Sequence, residues 1–255
     1  MTNKEMLCTA LKQSALELNC TVDDLTRGKS KAVISMAAEG ARKYLSLPFY
    51  CQLVSYGSGI VASVNEEIYA DAKAYIEKYA PEHCFETPNM LVLQSALERR
   101  GMSACFMAEY WLCDTDAIRP LDCGYELRLL TAEDFAPLYT PQWSNALCEK
   151  RKELDVLGIG AYDGEKLVGL AGCSADCESM WQIGVDVLPE YRRRGIASAV
   201  TGRLAAEIMA RGKVPFYCCA WSNVASARNA IRAGFRPVWV ELTAKSAEYT
   251  ADMNK

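Results

Sequence analysis

Residues 192–197 read Arg-Arg-Arg-Gly-Ile-Ala. An apolar run, Trp181 to Leu188, precedes them, and Pro189-Glu190 ends that run. After them, Val200, Leu204 and Ile208 recur every four residues. The first pattern reads as a strand and the second as a helix. A strand that turns through a basic, glycine-containing corner into a helix start is a device for holding an anion. The first N–H groups of a helix have no partner inside it, and they face outward at the positive end of the dipole. Gly195 lets the backbone approach a phosphate with no side chain in the way, and Ala197 keeps the next contact small.

The elements that must position this corner follow from periodicity and punctuation. Tyr125 to Leu130 alternates as a strand. Thr131-Ala132-Glu133-Asp134 opens a helical stretch broken by Pro137 and Pro141. Val156 to Tyr162 and Lys166 to Gly172 are strands joined through Asp163-Gly164, a strong hairpin signal. The strand over 180–188, the basic corner and a helix over 197–211 come next. A strand over 214–220, a helix over 224–233 ended by Gly234, and a strand over 236–243 complete the order β-α-β-β-β-α-β-α-β.

The first half is a smaller α+β unit. Its pattern predicts a helix over 3–18, a capping box at Thr21 and strands over 49–55 and 60–64. It also predicts a helix from Glu66 to Tyr79 capped by Asn65, a helix opened by Thr87-Pro88 and closed by Gly101, and a strand over 102–112. Residues 32–47 fit helix or strand. Asp114 to Gly124, with Pro120, reads as the linker, so the domains are 1–118 and 119–255.

Arg192-x-x-Gly195-x-Ala197, behind Pro189-Glu190-Tyr191, resembles the acyl-CoA-binding motif of the GNAT (Gcn5-related) N-acetyltransferases, Q/R-x-x-G-x-G/A. Asn223-x-x-Ser226 followed by Gly234-Phe235 resembles that family's N-x-x-S/A…G-F segment. The resemblance covers about 125–243. The first half is similar only in general to an N-terminal extension found in some bacterial members.

The resemblance implies an α/β (α+β) chain, a C-terminal GNAT fold with a mixed central sheet behind a small α+β N-terminal domain. It implies acetyl-CoA (acyl-CoA) as co-substrate and an amine of a small molecule or peptide as acceptor. The strands at 180–188 and 214–220 would splay, with backbone groups of Val185 and Val187 pairing with the pantetheine arm. Arg192, Arg193, Arg194, Gly195, Ile196, Ala197 and Ser198 would hold the pyrophosphate, and Asn223 and Ser226 would close over the pantetheine. A backbone N–H near Val187–Leu188 would hold the developing oxyanion.

At the catalytic positions the chain departs from the family. Many members carry a tyrosine four residues before Gly-Phe, and here that residue is Ala230. Some carry a glutamate near the position of Trp181. The catalytic residues stay unassigned, with Glu178 and Asp186 as carboxylate candidates and Tyr217, Cys219 and Ser222 as substitute acids. Two functions therefore stand: an N-acyltransferase, or an acyl-CoA-binding sensor or regulatory module without catalysis.

Composition excludes other classes. The net charge of −4 gives no general attraction to nucleic acid or an anionic membrane. No apolar run reaches the roughly 20 residues a membrane helix needs, and residues 1–11 lack the apolar segment of a secretory signal. Twelve scattered cysteines read as reduced, mostly buried thiols, which places the chain in the cytoplasm. No C-x-x-C occurs and His83 is the sole histidine, so no metal site is expected. His83-Cys84 lacks a third orienting group and reads as structural. Gly28-Lys29-Ser30 imitates the end of a P-loop, but Asp23 stands where its first glycine would be. Gly57-Ser58-Gly59 reads as a plain turn. The first half would shape the acceptor side or an oligomer contact, a homodimer included.

Overall fold

A computed structural model describes residues 1–255, in the order α1 (Asn3–Leu18), α2 (Val22–Thr26), β1 (Lys31–Ile34), β2 (Cys51–Ser55), β3 (Val61–Val64), α3 (Tyr69–Lys78), α4 (Thr87–Glu98), β4 (Met102–Cys113), β5 (Glu126–Thr131), β6 (Asp155–Asp163), β7 (Lys166–Ser174), β8 (Met180–Val187), α5 (Ile196–Ala210), β9 (Val214–Ala220), α6 (Val224–Arg232), β10 (Phe235–Ser246) and α7 (Ala247–Asp252). Two compact units emerge, one of Met1–Thr9 with Trp111–Pro237 and one of Ala10–Tyr110 with Val238–Lys255. This differs from a single cut after residue 118. The later half of β10 pairs with β2, from Val240↔Ser55 to Thr243↔Gln52, and that ladder draws 238–255 into the unit of the N-terminal half.

In the unit containing 10–110, the strands lie in the order β1-β3-β2-β10-β4. Cys51, Leu53, Ala62, Val64, Leu242 and Ala244 alternate onto one face and meet Ile68, Ile76, Leu93 and Leu97 in an apolar core. The polar members of the same strands sit differently. Arg42 donates to both Glu17 carboxylate oxygens and to Glu241, at 2.7–3.0 Å, and all three side chains are buried. Gln52 and Trp239 also donate to Glu241. Burying such charges is tolerable because each is paired and hydrogen-bonded. The capping box forms at Thr21. Within 32–47 only the start is regular, as the end of β1.

In the unit containing 111–237, the order is β9-β8-β7-β6-β5. β5 to β8 pair antiparallel, and β8 pairs parallel with β9, so the sheet is mixed. Helix α5 buries Ile196, Val200, Leu204 and Ile208, the i, i+4 stripe that the sequence displays. Asp163 pairs with Lys166, so the hairpin loop is Gly164-Glu165, with Gly164 at φ +60°.

The helix expected after Thr131 does not form as an α-helix. Residues 132–134, 136–138 and 141–143 make separate 3-10 turns. Pro137 and Pro141 each remove an N–H donor, so the helical ladder cannot propagate. Residues 145–146, just beyond this run, cross β7 and β8 at one glycine of each strand. A Cβ on Gly172 would meet the Ala146 carbonyl, and one on Gly184 the Asn145 carbonyl. Asp186 ties the crossing down, accepting from the N–H of Asn145 (2.8 Å), its side-chain amide (2.7 Å) and the N–H of Ala146 (3.0 Å).

Backbone cannot yield as a flexible side chain can. Gly184→Ala should therefore lower stability by about 1–3 kcal/mol, read as a drop in the urea midpoint of the full-length protein. A wild-type midpoint would show that residues 145–146 do not press on β8.

Candidate functional site

The parallel ladder between β8 and β9 runs from Met180↔Val214 to Ile183↔Tyr217 and ends there. β8 continues to Val187 and β9 to Ala220. On its other edge β8 stays paired with β7 as far as Val187↔Gly169. The opening is thus one-sided. Leu188 donates its N–H to the Val168 carbonyl on β7 (3.0 Å). Backbone direction alternates along a strand, so Val187 and Val185 turn their N–H and C=O groups toward the opening. Leu188 is thereby spent as an oxyanion donor, and Val185 or Val187 carries the donors that face the gap.

Beyond the opening, Pro189–Tyr191 makes a 3-10 turn and the basic corner follows. Arg193 has φ +63° and Gly195 φ +82°. A positive φ is rare for a residue with a side chain and marks backbone held against its preference. Such left-handed turns aim consecutive amides into one concavity, a nest for an anion. The first hydrogen bond of α5 runs from Ala199 N–H to the Gly195 carbonyl (3.1 Å). The N–H groups of Ile196, Ala197 and Ser198 lie ahead of it. No side chain caps this helix and no acidic residue sits in its first turn. The space where a Gly195 Cβ would stand is open. Opposite, Gly169 has no Cβ, and the Ile196 side chain fills that place and seats the corner on β7.

Opening and corner share a groove of about 670 Å3. Val185, Val187, Arg192, Arg193, Gly195, Ile196, Ala197, Ser198, Asn223 and Ser226 all line it. Arg194 does not. It donates to the Tyr125 hydroxyl (2.7 Å) and the Glu190 carbonyl (3.1 Å), with its guanidinium over the Tyr191 ring. Arg192 Nε donates to the Val187 carbonyl (3.2 Å). Among the lining residues that the sequence reading did not assign are the cations Arg228 and Arg232. Their signal was present as R-N-A-I-R, which places two cations one turn apart on a helix face.

Asn223 is first of all a helix cap, since its side chain accepts the Ser226 N–H (3.1 Å). A polar chain runs on from there. The Tyr217 hydroxyl and Ser226 Oγ are 2.6 Å apart. Ser198 Oγ donates to Asn229 Oδ1 (3.0 Å), and Asn229 Nδ2 donates to Thr201 (3.2 Å). Tyr217 is the last residue of the β9 ladder and lines the groove. Burial holds its hydroxyl above the ordinary tyrosine range, so it stays protonated at neutral pH.

The other catalytic candidates lie elsewhere or are occupied. Asp186 borders the groove, but the carboxylate is engaged by Asn145 and Ala146. Glu178 is exposed in the loop before β8, roughly 20 Å of strand from Val185. Cys219 is buried two residues beyond Tyr217, outside the groove lining. Ser222 is exposed between β9 and α6 and is also outside that lining.

The remaining motifs have structural partners. His83 is exposed and bonded to Glu86 (3.0 Å), while Cys84 is buried with its thiol pushed up to about 11 by desolvation. They do not form a nucleophile pair. Ser30 Oγ accepts the Ile60 N–H, and Ser55 holds the turn at Gly57 and Gly59. No three His, Cys, Asp or Glu side chains gather as metal ligands. No helix is long and apolar enough to cross a membrane.

A sequence model of the GNAT acetyltransferase family matches residues 66–239, well over half of the chain. The chain belongs to the GNAT acetyltransferase family. The match begins far upstream of the motif-bearing stretch 125–243 and crosses the expected boundary at 118. Among solved structures, the chain is similar to a GNAT-family structure from Novosphingobium aromaticivorans (20% identity, TM-score 0.41). It spans about two thirds of that protein's length, covering 56% of this chain and 66% of the other. It is also similar to a GCN5-related N-acetyltransferase from Sphaerobacter thermophilus (16% identity, 74% of this chain, 72% of the other, TM-score 0.47). A third is yncA of Salmonella typhimurium, solved with its cofactor acetyl-CoA (17% identity, 48% of this chain, 93% of the other, TM-score 0.34). No curated protein matches significantly.

The strain at Arg193 allows a role in the fold to be told apart from a role in anion binding. Arg193→Gly should leave stability unchanged or raise it by up to about 1 kcal/mol, because relief of the left-handed strain offsets the added chain entropy. Affinity for inorganic pyrophosphate should fall about tenfold with the lost guanidinium. Denaturation and titration calorimetry read the two. A loss of stability with unchanged affinity would show that Arg193 is held for the fold alone.

Proposed function

We propose that this chain is an acyl-CoA-dependent N-acyltransferase, moving an acetyl group to an amine of a small molecule or peptide. One observation carries the reading: a strained, uncapped, acid-free helix start opens onto the same groove as the unpaired edge of β8. The residues present fit the ligand. The corner 192–198 offers amides and Arg193 to a diphosphate. Val185 offers its strand-edge N–H and C=O and Val187 its N–H, the Val187 carbonyl being taken by Arg192, to an amide-bearing arm, which binds as an added strand.

Acyl-CoA, when bound, supplies a thioester carbonyl open to attack by an amine and a thiol that leaves. The chain must orient the reactants, hold developing negative charge and supply a proton. Orientation falls to the corner and the strand edge together. Charge falls to an N–H of Val185 or Val187 facing the gap. The leaving thiolate takes its proton from Tyr217, which lines the groove, since the family's usual tyrosine is replaced by the buried Ala230, and the attacking amine releases its own proton to water. Asp186 acts as a positioning residue for 145–146. None of the twelve cysteines is in a disulfide, and we place the chain in a reducing compartment such as the cytoplasm.

Acetyl-CoA should raise the melting temperature of the full-length protein, and an amine panel should reveal acceptor-dependent thiol release. Gly195→Glu should weaken acetyl-CoA binding at least about 100-fold, through a like charge against the phosphates. Gly195→Asn, which tolerates positive φ, is the control for backbone strain. Tyr217→Phe should lower kcat about 100-fold with little change in KM for acetyl-CoA. Binding with no amine-dependent thiol release would instead favour an acyl-CoA sensor, the alternative that Ala230 motivates.

A further inference from the structure

Several arginines of this unit away from the groove have acidic partners: Arg203 and Arg211 both pair with Glu207 (2.9 Å each), and Arg128 pairs with Glu126 (2.8 Å). Arg228 and Arg232 are exposed, line the groove and form neither an ion pair nor a hydrogen bond. They stand at i and i+4 on α6, a helix with no acidic residue. Like charges at this spacing cost a few tenths of a kcal/mol in an isolated helix. The chain accepts that repulsion on the wall of a groove, in a protein with an overall excess of acid.

The corner across the groove already accounts for one anion. Its amides and Arg193 match a diphosphate, whereas Arg228 and Arg232 belong to another element. We propose that Arg228 and Arg232 form a second phosphate subsite, which takes the ribose phosphomonoester of coenzyme A and makes the groove select coenzyme A over its dephospho form. This rests on the acyl-CoA reading above. A phosphomonoester carries about −1.5 to −2 charge at neutral pH. It needs more than one cation for neutralisation, and guanidinium forks bind its oxygens in pairs. No other difference separates the two ligands, so the selection reports on this subsite alone.

Calorimetric titration of the full-length protein with coenzyme A and with dephospho-coenzyme A tests it. The wild type should bind coenzyme A about 10- to 100-fold more tightly. In the Arg228→Gln/Arg232→Gln double variant that preference should vanish, with affinity for dephospho-coenzyme A unchanged. Arg228→Lys/Arg232→Lys should retain part of it. Circular dichroism checks that the variants fold, as expected for exposed positions. Equal affinities in the wild type, or an undiminished preference in the double variant, would overturn the subsite. Failure of both ligands to bind the wild type would overturn the acyl-CoA reading itself, and the subsite with it.

Discussion

When a parallel ladder stops halfway, backbone N–H and C=O groups are left facing a gap. Here it stops at Ile183↔Tyr217, four residues before the end of β8. Unpaired edge groups need a partner, whether water or another extended chain. The rest of the unit keeps this edge open yet ordered. β7 holds β8 from the other side as far as Val187, and Asp186 clamps residues 145–146 against it. Both glycines in that crossing are needed for the backbones to approach so closely. The opening is therefore braced from one side.

Electrostatics adds to this geometry. The chain is acidic overall, yet its groove is lined by Arg192, Arg193, Arg228 and Arg232. The aimed amides of the corner and the dipole of α5 point the same way. Cations gathered along one cleft raise the local concentration of anions there. The left-handed backbone at Arg193 belongs to the same design, because a glycine there would relax the turn but carry no charge.

Ala230 is buried and offers no hydroxyl. Tyr217 reaches the groove from β9 and is steadied by Ser226, while Asn229 links Ser198 and Thr201 beside it. Its network ties β9, α5 and α6 together, so the hydroxyl is positioned by three elements that are remote in sequence.

Much was legible along the chain. The anion corner, the glycine at its helix start, the strand before it and the order of elements in 125–243 follow from local rules, because propensity, capping and turn chemistry act over a few residues. Motif resemblance placed the family on the same stretch. Other features depended on contacts between distant segments. The prolines at 137 and 141 were visible, but that the run would settle as 3-10 turns seated on Gly172 and Gly184 required its packing against the sheet. Asp186 looked like a base until its partners, 41 residues away, were in place. Arg194 sat inside the motif yet turned to Tyr125, 69 residues away, whereas Arg228 and Arg232 joined the groove from outside it. The sequence by itself determined which segments could form and that a basic, glycine-containing corner opens a helix between them. Only the tertiary structure decided which side chains reach that corner, because side-chain direction is set by burial and by partners far along the chain.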